Sequence, residues 1–343
     1  MGLEGKKGNW GLKAKSGLVA LAWVYFTGLV LVLALRFILG DFSWWSFALN
    51  SMLLYVFALA PIALILGVVW QRRELVVLSL ASLVVWVWLW GGLFLPRAMQ
   101  TDAVGRQLTV MAYNLLGFNF DAEAVVRVVR DSNADVIGFQ ELNPQIATVL
   151  EQEFIAEYPY QLWKPQDGVT GAGLISRYPF QPTGEVIADE AWVSEPDILS
   201  VSIQNNNVTL MRFHAVAQPP SWAERERQAQ KLADYAQNHI GPLVVFGDLN
   251  ATDQNDAYRS LAVVLKDAWR EAGTGFGHTF PGASTQTTPG SSRPQVWGWP
   301  VPQWLVRIDF VFYSNELEAV SARLGEFDGA SDHRPVIATL RLK

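Results

Sequence analysis

The sequence predicts an α/β protein: a sheet-based sandwich with helices outside it, preceded by three membrane-spanning helices. Three observations predict it. Long uncharged runs crowd the first hundred residues, short apolar strands alternate with helical segments in the remainder, and the second half holds apparent hairpins that a plain doubly wound sheet would not need. The 343 residues include no cysteine, which excludes a disulfide-stapled module and a thiolate metal site.

The uncharged runs come first. Residues 16–35 hold 20 positions without charge, 42–71 hold 30 and 75–96 hold 22. A helix rises about 1.5 Å per residue, so roughly 20 residues cross a hydrocarbon core of about 30 Å. The spans are placed at about 16–36, 47–70 and 75–95, making residues 1–96 an anchor. Lys6, Lys7, Lys13 and Lys15 precede the first span, Arg72 and Arg73 separate the second from the third, and residues 40–46 carry no Lys or Arg. Positive residues favour the cytoplasmic side, so the amino terminus is expected inside and everything after residue 96 outside. Arg36 is expected to snorkel to the headgroups, Trp44 and Trp45 to lie at the outer interface, and Pro61 to kink the second helix. The spans hold no Asp, Glu or Lys of the kind that marks a channel or pump.

The charge then reverses. Residues 1–95 hold 7 Lys and Arg against 3 Asp and Glu, and the remainder holds 19 against 29. An acidic domain is a poor general DNA binder but suits a site that gathers divalent cations. After a linker at 97–106, the domain over 107–343 reads in order. Strands are expected at 107–113 and 135–139, each followed by a helix: 121–130 with the acidic cap Asp121, and 143–154 with Pro144 in its first turn. Strands follow at 173–176, 198–203 and 208–213, with a turn at Asn205, Asn206 and Asn207. The helix over 222–238 gathers Ala229, Leu232, Ala233 and Ala236 on one face and Glu224, Arg225, Glu226 and Arg227 on the wet one. The last strands are expected at 243–246, 306–312 and 335–342. The stretch 273–303, rich in Gly, Ser, Thr, Pro and Trp, reads as a long loop shaping a substrate entrance. Within it, Trp297, Trp299 and Trp304 read either as local core or as a contact for lipid or a long-chain substrate. No dinucleotide or Walker-type glycine loop is present.

Several apolar strands end in a polar group that a plain core would not want. These are Asn114, Gln140-Glu141, His214, Asp248-Leu249-Asn250, Asp309, and Ser331-Asp332-His333-Arg334. Ligands in α/β proteins collect beyond strand ends, so one pocket is expected to receive them. Mg²⁺ and Mn²⁺ prefer oxygen ligands, which Glu141 and one or more of Asp248, Asp309 and Asp332 offer. Asn114 and Asn250 can donate to phosphoryl oxygens without adding charge. His333 can accept a proton, and a carboxylate such as Asp309 can fix its tautomer. His278 is a candidate phosphate contact from the long loop.

At this point the domain resembles the endonuclease/exonuclease/phosphatase superfamily of metal-dependent phosphoesterases. The ordered set Tyr113-Asn114, Gln140-Glu141, the GLISRYP segment from Gly173 to Pro179, Gly247-Asp248-Leu249-Asn250, Arg307-Ile308-Asp309 and Ser331-Asp332-His333-Arg334-Pro335 carries the resemblance. It implies a four-layer α/β sandwich with two central mixed sheets, and Mg²⁺ or Mn²⁺ as cofactor. Glu141 is then the principal metal ligand, with Asp332 assisting and Asn114 orienting the ion-bound phosphate or a neighbouring ligand. Asp248 places or activates the attacking water, Asn250 stabilises the pentacovalent state, and His333, held by Asp309, is general base or donor. His214 contacts phosphate or leaving group, although Phe213 stands where the family usually has Thr. A narrower likeness, from three spans followed by this domain, the segment 275–281 and the stretch 214–220, is to the VanJ-type teicoplanin-resistance proteins. It implies a lipid pyrophosphate substrate such as undecaprenyl pyrophosphate.

The expected function is a membrane-anchored, metal-dependent phosphoesterase acting on a lipid phosphate or pyrophosphate outside the cytoplasmic membrane. The alternatives are an extracytoplasmic nuclease, with Arg177, Arg212, Arg307 and Arg334 lining its groove, and a non-catalytic envelope scaffold.

Overall fold

A computed structural model describes residues 4–95, 106–189, 191–203, 206–217, 221–282, 293, 295–327, 329 and 331–343, with side chains from residue 15. Residues 97–105 of the expected linker (97–106) and residues 283–292 and 294 of the expected long loop lie outside the described residues, as does Asn205 of the expected turn. The chain divides into two compact units, Met1–Gly92 and Leu93–Lys343.

The first unit is all helix: α1 (Glu4–Leu39), α2 (Trp44–Ser51), α3 (Leu53–Val56), α4 (Ala60–Val69) and α5 (Arg73–Trp90). Lys15–Leu39 and Arg73–Phe94 are each long and apolar enough to cross a membrane. The middle run departs from the expected single helix: Trp44–Ser51 and Leu53–Val69 meet at 68°, so the unit has two such spans, or three if the bent pair is one. Pro61 is not the site of the bend. It lies in the first turn of α4, where a missing amide proton breaks no helical hydrogen bond, and the turn before it tightens to a 3-10 helix at Phe57–Leu59. The bend falls at Met52, whose ψ of 11° ends α2. Arg36, expected to reach outward, is buried, with its guanidinium 5.7 Å over the Phe37 ring.

The second unit runs β1 (Gln107–Asn114), α6 (Ala122–Ser132), β2 (Val136–Gln140), α7 (Pro144–Phe154), β3 (Tyr160–Lys164), β4 (Ala172–Ser176), β5 (Phe180–Pro182), β6 (Ser194–Ile203), β7 (Asn206–His214), α8 (Trp222–Asn238) and β8 (Leu243–Asp248). It continues with α9 (Asp256–Ala262), β9 (Lys266–Asp267), α10 (Ala268–Ala272), β10 (Gln295–Val296), β11 (Trp299–Pro300), β12 (Asp309–Tyr313), β13 (Leu317–Leu324) and β14 (Val336–Leu342). Two six-stranded mixed sheets form, in the orders β13-β14-β1-β2-β4-β3 and β5-β6-β7-β8-β12-β9. The expected cap Asp121 is in place, its carboxylate accepting from Ala124 N; Asn143, read as the first residue of the next helix, instead caps it, its side chain accepting from Ile146 N.

Strand alternation builds the layers. Val110 and Ala112 of β1, Leu210 of β7, Val244 and Phe246 of β8 and Val311 of β12 point between the sheets into one core. The opposite face of the first sheet, with Met111, Ile137 and Phe139, packs on Val125 and Val129 of α6 and Ile146 and Leu150 of α7. On α8, Ala229, Leu232 and Ala233 are buried as expected, but so is Arg225. Its Nε donates to Val216 O at 2.9 Å, supplying a carbonyl that the chain leaving β7 would otherwise bury unpaired. The expected loop at 273–303 contains the β10–β11 hairpin.

Candidate active site

Asn114, His214, Asp248 and Asp309 continue the inward-facing rows of their strands, two residues beyond Ala112, Arg212 and Phe246 on β1, β7 and β8 and two before Val311 on β12. The apolar core between the sheets therefore ends in a polar layer. Register aligns three of these residues: His214 pairs with Asp248 across β7–β8, and Asp248 with Asp309 across β8–β12. Close packing of these strands depends on Gly247, at φ 149°, where a Cβ would stand 2.0 Å from Phe213 O. Beyond β2, Glu141 adopts a left-handed backbone with φ 56°, as does Asn250 beyond β8 with φ 52°. Non-glycine residues in that region are uncommon and cluster at functional sites.

Hydrogen bonds tie the layer together. Asn114 Nδ2 donates to Glu141 Oε1 at 3.2 Å and to Asp248 Oδ2 at 3.0 Å, while its Oδ1 accepts from Leu116 N. Glu141 Oε2 accepts from Gly117 N at 2.8 Å. Asp248 Oδ1 accepts from Asn250 N at 2.8 Å, and Asn250 Nδ2 donates to Ala215 O at 3.2 Å. His333 Nδ1 lies 2.8 Å from Asp309 Oδ2, which places the proton of that nitrogen on the carboxylate side and aims Nε2 at Asp248 Oδ2, 3.9 Å away, and Asp332 Oδ1, 4.0 Å away. Ser331 Oγ donates to Asn114 O at 2.7 Å and accepts from His333 N at 2.9 Å, fixing the last segment to β1. All eight residues singled out in the sequence thus meet at one place.

Electrostatics follow from burial. Burial raises the Glu141 carboxyl above its ordinary value, and Asp332 adds to the rise. Burial does the same to Asp332, and burial with the neighbouring Asp309 lifts Asp248 to about 7. Burial alone would lower His333, but Asp309, Asp332 and Asp248 together hold it well above the usual imidazole range. His214 goes the other way: burial, then Arg212 and His333, push it down to about 3, so its ring is neutral. Both His214 nitrogens are buried without a hydrogen-bond partner, and Nε2 stands 3.7 Å from Asp248 Oδ2 and 4.0 Å from Glu141 Oε1. Asp309 Oδ1 is likewise buried and unpartnered.

Three features escaped the reading of the sequence. Gln140 is buried with neither amide atom bonded; only its place beside Glu141 hinted at the site. Ser331 was visible within a motif but its linking role was not. Of the four arginines weighed for a positive groove, Arg212 pairs with Asp197, Arg307 with Asp267, and Arg177 with Glu157. Arg334 alone among those four has no carboxylate partner among the described residues. It lies 4.2 Å over the Trp304 ring and donates to His278 O at 2.5 Å. His278 turns its Nδ1 to Trp304 O at 2.7 Å, so that nitrogen serves the loop.

Residues 111–333 match the sequence profile of the endonuclease/exonuclease/phosphatase family. The chain belongs to that family. Members of the endonuclease/exonuclease/phosphatase superfamily are metal-dependent phosphoester hydrolases, and this chain is one by membership. Solved structures share its fold. Zebrafish TDP2 complexed with a single-strand DNA product is 18% identical, with a TM-score of 0.54 over 68% of this chain and 99% of that one. Truncated TDP2 of Caenorhabditis elegans is 20% identical, with a TM-score of 0.53 over 68% and 98%. The human Nocturnin catalytic domain with bound sulfate is 18% identical, with a TM-score of 0.50 over 69% and 95%. No curated protein sequence matches the chain, so the narrower likeness to VanJ-type proteins rests on the sequence pattern alone.

The donor set fits a hard divalent cation. The acidic groups are oxygen ligands, and their proton affinities are raised first by burial and then by neighbouring carboxylates, both of which a bound cation would offset. Asp248, Asp309 and His333 bring ligand atoms within 4.8 Å of one another. Within that trio, however, Asp309 and His333 already satisfy each other, whereas Asp332 raises the proton affinity of Glu141 and His333 offsets that rise only in part.

Proposed function

We propose that the protein is a membrane-anchored, divalent-metal-dependent phosphoesterase that hydrolyses a lipid phosphate or pyrophosphate at the outer face of the cytoplasmic membrane. The observation that carries the lipid reading is the rim of the site. Gly117, whose amide holds Glu141, abuts Gly168 so closely that a Cβ would stand 2.0 Å from Gly168 O. On these two touching loops, Phe118, Phe120 and Val169 are 39%, 47% and 41% exposed. An apolar rim suits a hydrophobic leaving group or tail better than a polynucleotide. Pairing of Arg177, Arg212 and Arg307 with carboxylates removes the positive groove that a nuclease would use. The guanidinium of Arg334 offers a cation for a second phosphate next to the first.

In this reading Glu141 and Asp332 hold Mg²⁺ or Mn²⁺. The bound ion supplies charge neutralisation at the phosphoryl oxygens. Asp248, whose proton affinity is matched to neutral pH, takes the proton of the attacking water. His333, kept cationic by Asp309, donates from Nε2 to the developing charge on the phosphoryl group. The neutral His214 and Asn114 orient the phosphate, and Asn250 steadies the pentacovalent state from the loop after β8.

The test is hydrolysis by the full chain, purified in detergent. With Mg²⁺ or Mn²⁺ it should release phosphate from a polyprenyl pyrophosphate, and Glu141→Ala and His333→Ala should abolish release while the melting temperature is kept. Faster cutting of DNA than of any lipid substrate would replace this reading with a nuclease. No metal-dependent hydrolysis across a panel of phosphate esters would leave a scaffold. Orientation is read separately: protease should reach the second unit in right-side-out vesicles without lysis.

A further inference from the structure

Among the described residues of the second unit, the β10–β11 hairpin groups three exposed apolar side chains. Val296 and Trp299 face each other across its two strands, and Trp297 and Gly298 form the turn. Trp297 is 96% exposed, Trp299 78% and Val296 53%. Trp297 and Gly298 both have positive φ, 50° and 79°, the conformation that two-residue hairpin turns require. Glycine adopts it freely, but a tryptophan there is strained, and a polar Asn or Asp is the usual occupant. A bulky indole is thus held exposed in the turn of the hairpin, against both solubility and backbone preference. Ile240 and Val263 are also exposed, on other segments.

The surroundings of the hairpin share its character. From residue 272 to 308 the sequence contains no Asp or Glu, although the second unit is acidic as a whole. Arg293, at the foot of the hairpin, donates to Val301 O and brings a positive charge. Indoles at a tip with arginine behind and no carboxylate in the same stretch of sequence match the interfacial layer of an anionic bilayer, where Trp collects and basic groups meet headgroups. The same chain supplies that bilayer if its amino-terminal helices cross one. Only the eleven residues 96–106 separate those helices from β1, a reach of at most about 40 Å.

We propose that the β10–β11 hairpin is a second membrane contact, inserting Val296, Trp297 and Trp299 into the surface of the bilayer in which the chain is anchored. The hairpin rises from the edge of the catalytic pocket. At its base Phe280 bridges to Val306, the Phe280 ring lies 4.9 Å from the His333 ring, and Gly282 N donates to Asp332 O. Docking of the tip therefore turns the pocket mouth toward lipid headgroups and holds it there. This inference rests on the anchored reading above, and its test is built to separate the two.

The absence of cysteine allows single labels. The full chain carrying Val296→Cys, Ile240→Cys or Val84→Cys is spin-labelled and reconstituted in vesicles of phosphatidylethanolamine and phosphatidylglycerol. Accessibility to oxygen and to an aqueous nickel complex is then read by electron paramagnetic resonance. The expected result is bilayer depth for the labels at 84 and 296 and water for the label at 240. Water at 296 with bilayer depth at 84 overturns the hairpin contact and leaves the anchor standing; water at both overturns the anchored reading itself. A functional arm uses Trp297→Ser together with Trp299→Ser: turnover of a vesicle-embedded lipid phosphate should fall about tenfold, with a water-soluble phosphate ester unaffected. Equal loss on both substrates would assign the tryptophans to folding of the loop and overturn the proposal.

Discussion

The two units of this chain expose different kinds of surface. In the first, the buried positions include Ala60, Ala63, Gly67, Ser79 and Ser82, while Val24, Ile38, Val84 and Trp88 are 68–77% exposed. In the second, the buried positions are Val, Leu, Ile and Phe in a continuous core, and large apolar side chains at the surface are few. Water explains the second arrangement, because removing apolar area from water is its main stabilising term. It cannot explain the first. Small residues at close helix contacts, beside large apolar side chains left exposed, suit helices in lipid, where packing depends on close backbone approach. At Gly67 that approach is measurable: a Cβ would stand 3.0 Å from Leu75 Cβ and from Val76 N. The difference teaches that the two units present different surfaces, the first carrying helices long and apolar enough to cross a membrane and the second a water-type core.

The sharpest way to test the second unit is at its polar layer. Asp309→Asn removes the charge that orients His333 and keeps it cationic, so kcat for metal-dependent hydrolysis should fall roughly 10³–10⁴-fold, the scale seen when a carboxylate behind a catalytic histidine is neutralised. Circular dichroism should be unchanged; a loss under tenfold would show that the pair is not catalytic.

Next in size is Asp197→Ala. Arg212 is fully buried, its Nε 2.7 Å from Asp197 Oδ2, and Lys164 pairs with the same carboxylate at 2.6 Å. Breaking one partner of a buried pair costs about 3–5 kcal/mol because the other charge stays behind. Thermal unfolding in detergent should show the drop in the second unit alone. Charge bonding to Arg212 and Lys164 holds the Asp197 carboxyl below its ordinary value despite burial, so this stabilisation is present above about pH 4 and is lost as acid protonates the group.

Val84→Arg probes the first unit. At the middle of a span, an arginine raises the insertion free energy by about 2.5–3.5 kcal/mol. Membrane integration of the third helical run should fall in a translocon insertion assay. Unchanged integration would mean that this exposed face never meets lipid.

The smallest effect is a pH dependence. Glu141, Asp248 and Asp332 bind protons more tightly folded than unfolded, so without metal the folded state holds more protons and stability declines as pH rises from about 4 toward 7. A divalent cation must displace those protons, so its stabilisation grows with pH. In EDTA the melting temperature should fall between pH 5 and pH 8, and added Mg²⁺ should raise it more at pH 8 than at pH 5.5. Equal shifts at both pH values would place the ion elsewhere.

Much of this was legible in the residues. Apolar runs that end in Asn114, His214, Asp248 and Asp309 pointed to a shared pocket, and the helices at Ala122–Ser132, Pro144–Phe154 and Trp222–Asn238 announced themselves by period and cap. Edge strands were not legible. β13, with the sequence LEAVSARL, has a helix-favouring composition and only Leu317 fully buried, so it lacks the clean alternation of a strand packed on one face. β3 is partly exposed along its length, and α10 has too few residues to show a helical period. Arg225 was misplaced because amphipathic patterning counts charge and cannot see a carbonyl of another segment awaiting a donor.

The sequence by itself determined the apolar amino-terminal runs, the family and the identity of the polar residues, because hydropathy, charge and ordered motifs are properties of a linear chain. Only the tertiary structure decided which of those residues touch. The alignment of His214, Asp248 and Asp309 depends on strand register, the bond from Asn114 to both Glu141 and Asp248 joins strands of different sheets, and the bareness of Trp297 depends on what fails to cover it. Each is a distance between segments far apart in the polymer, and such distances are set when the core between the sheets closes.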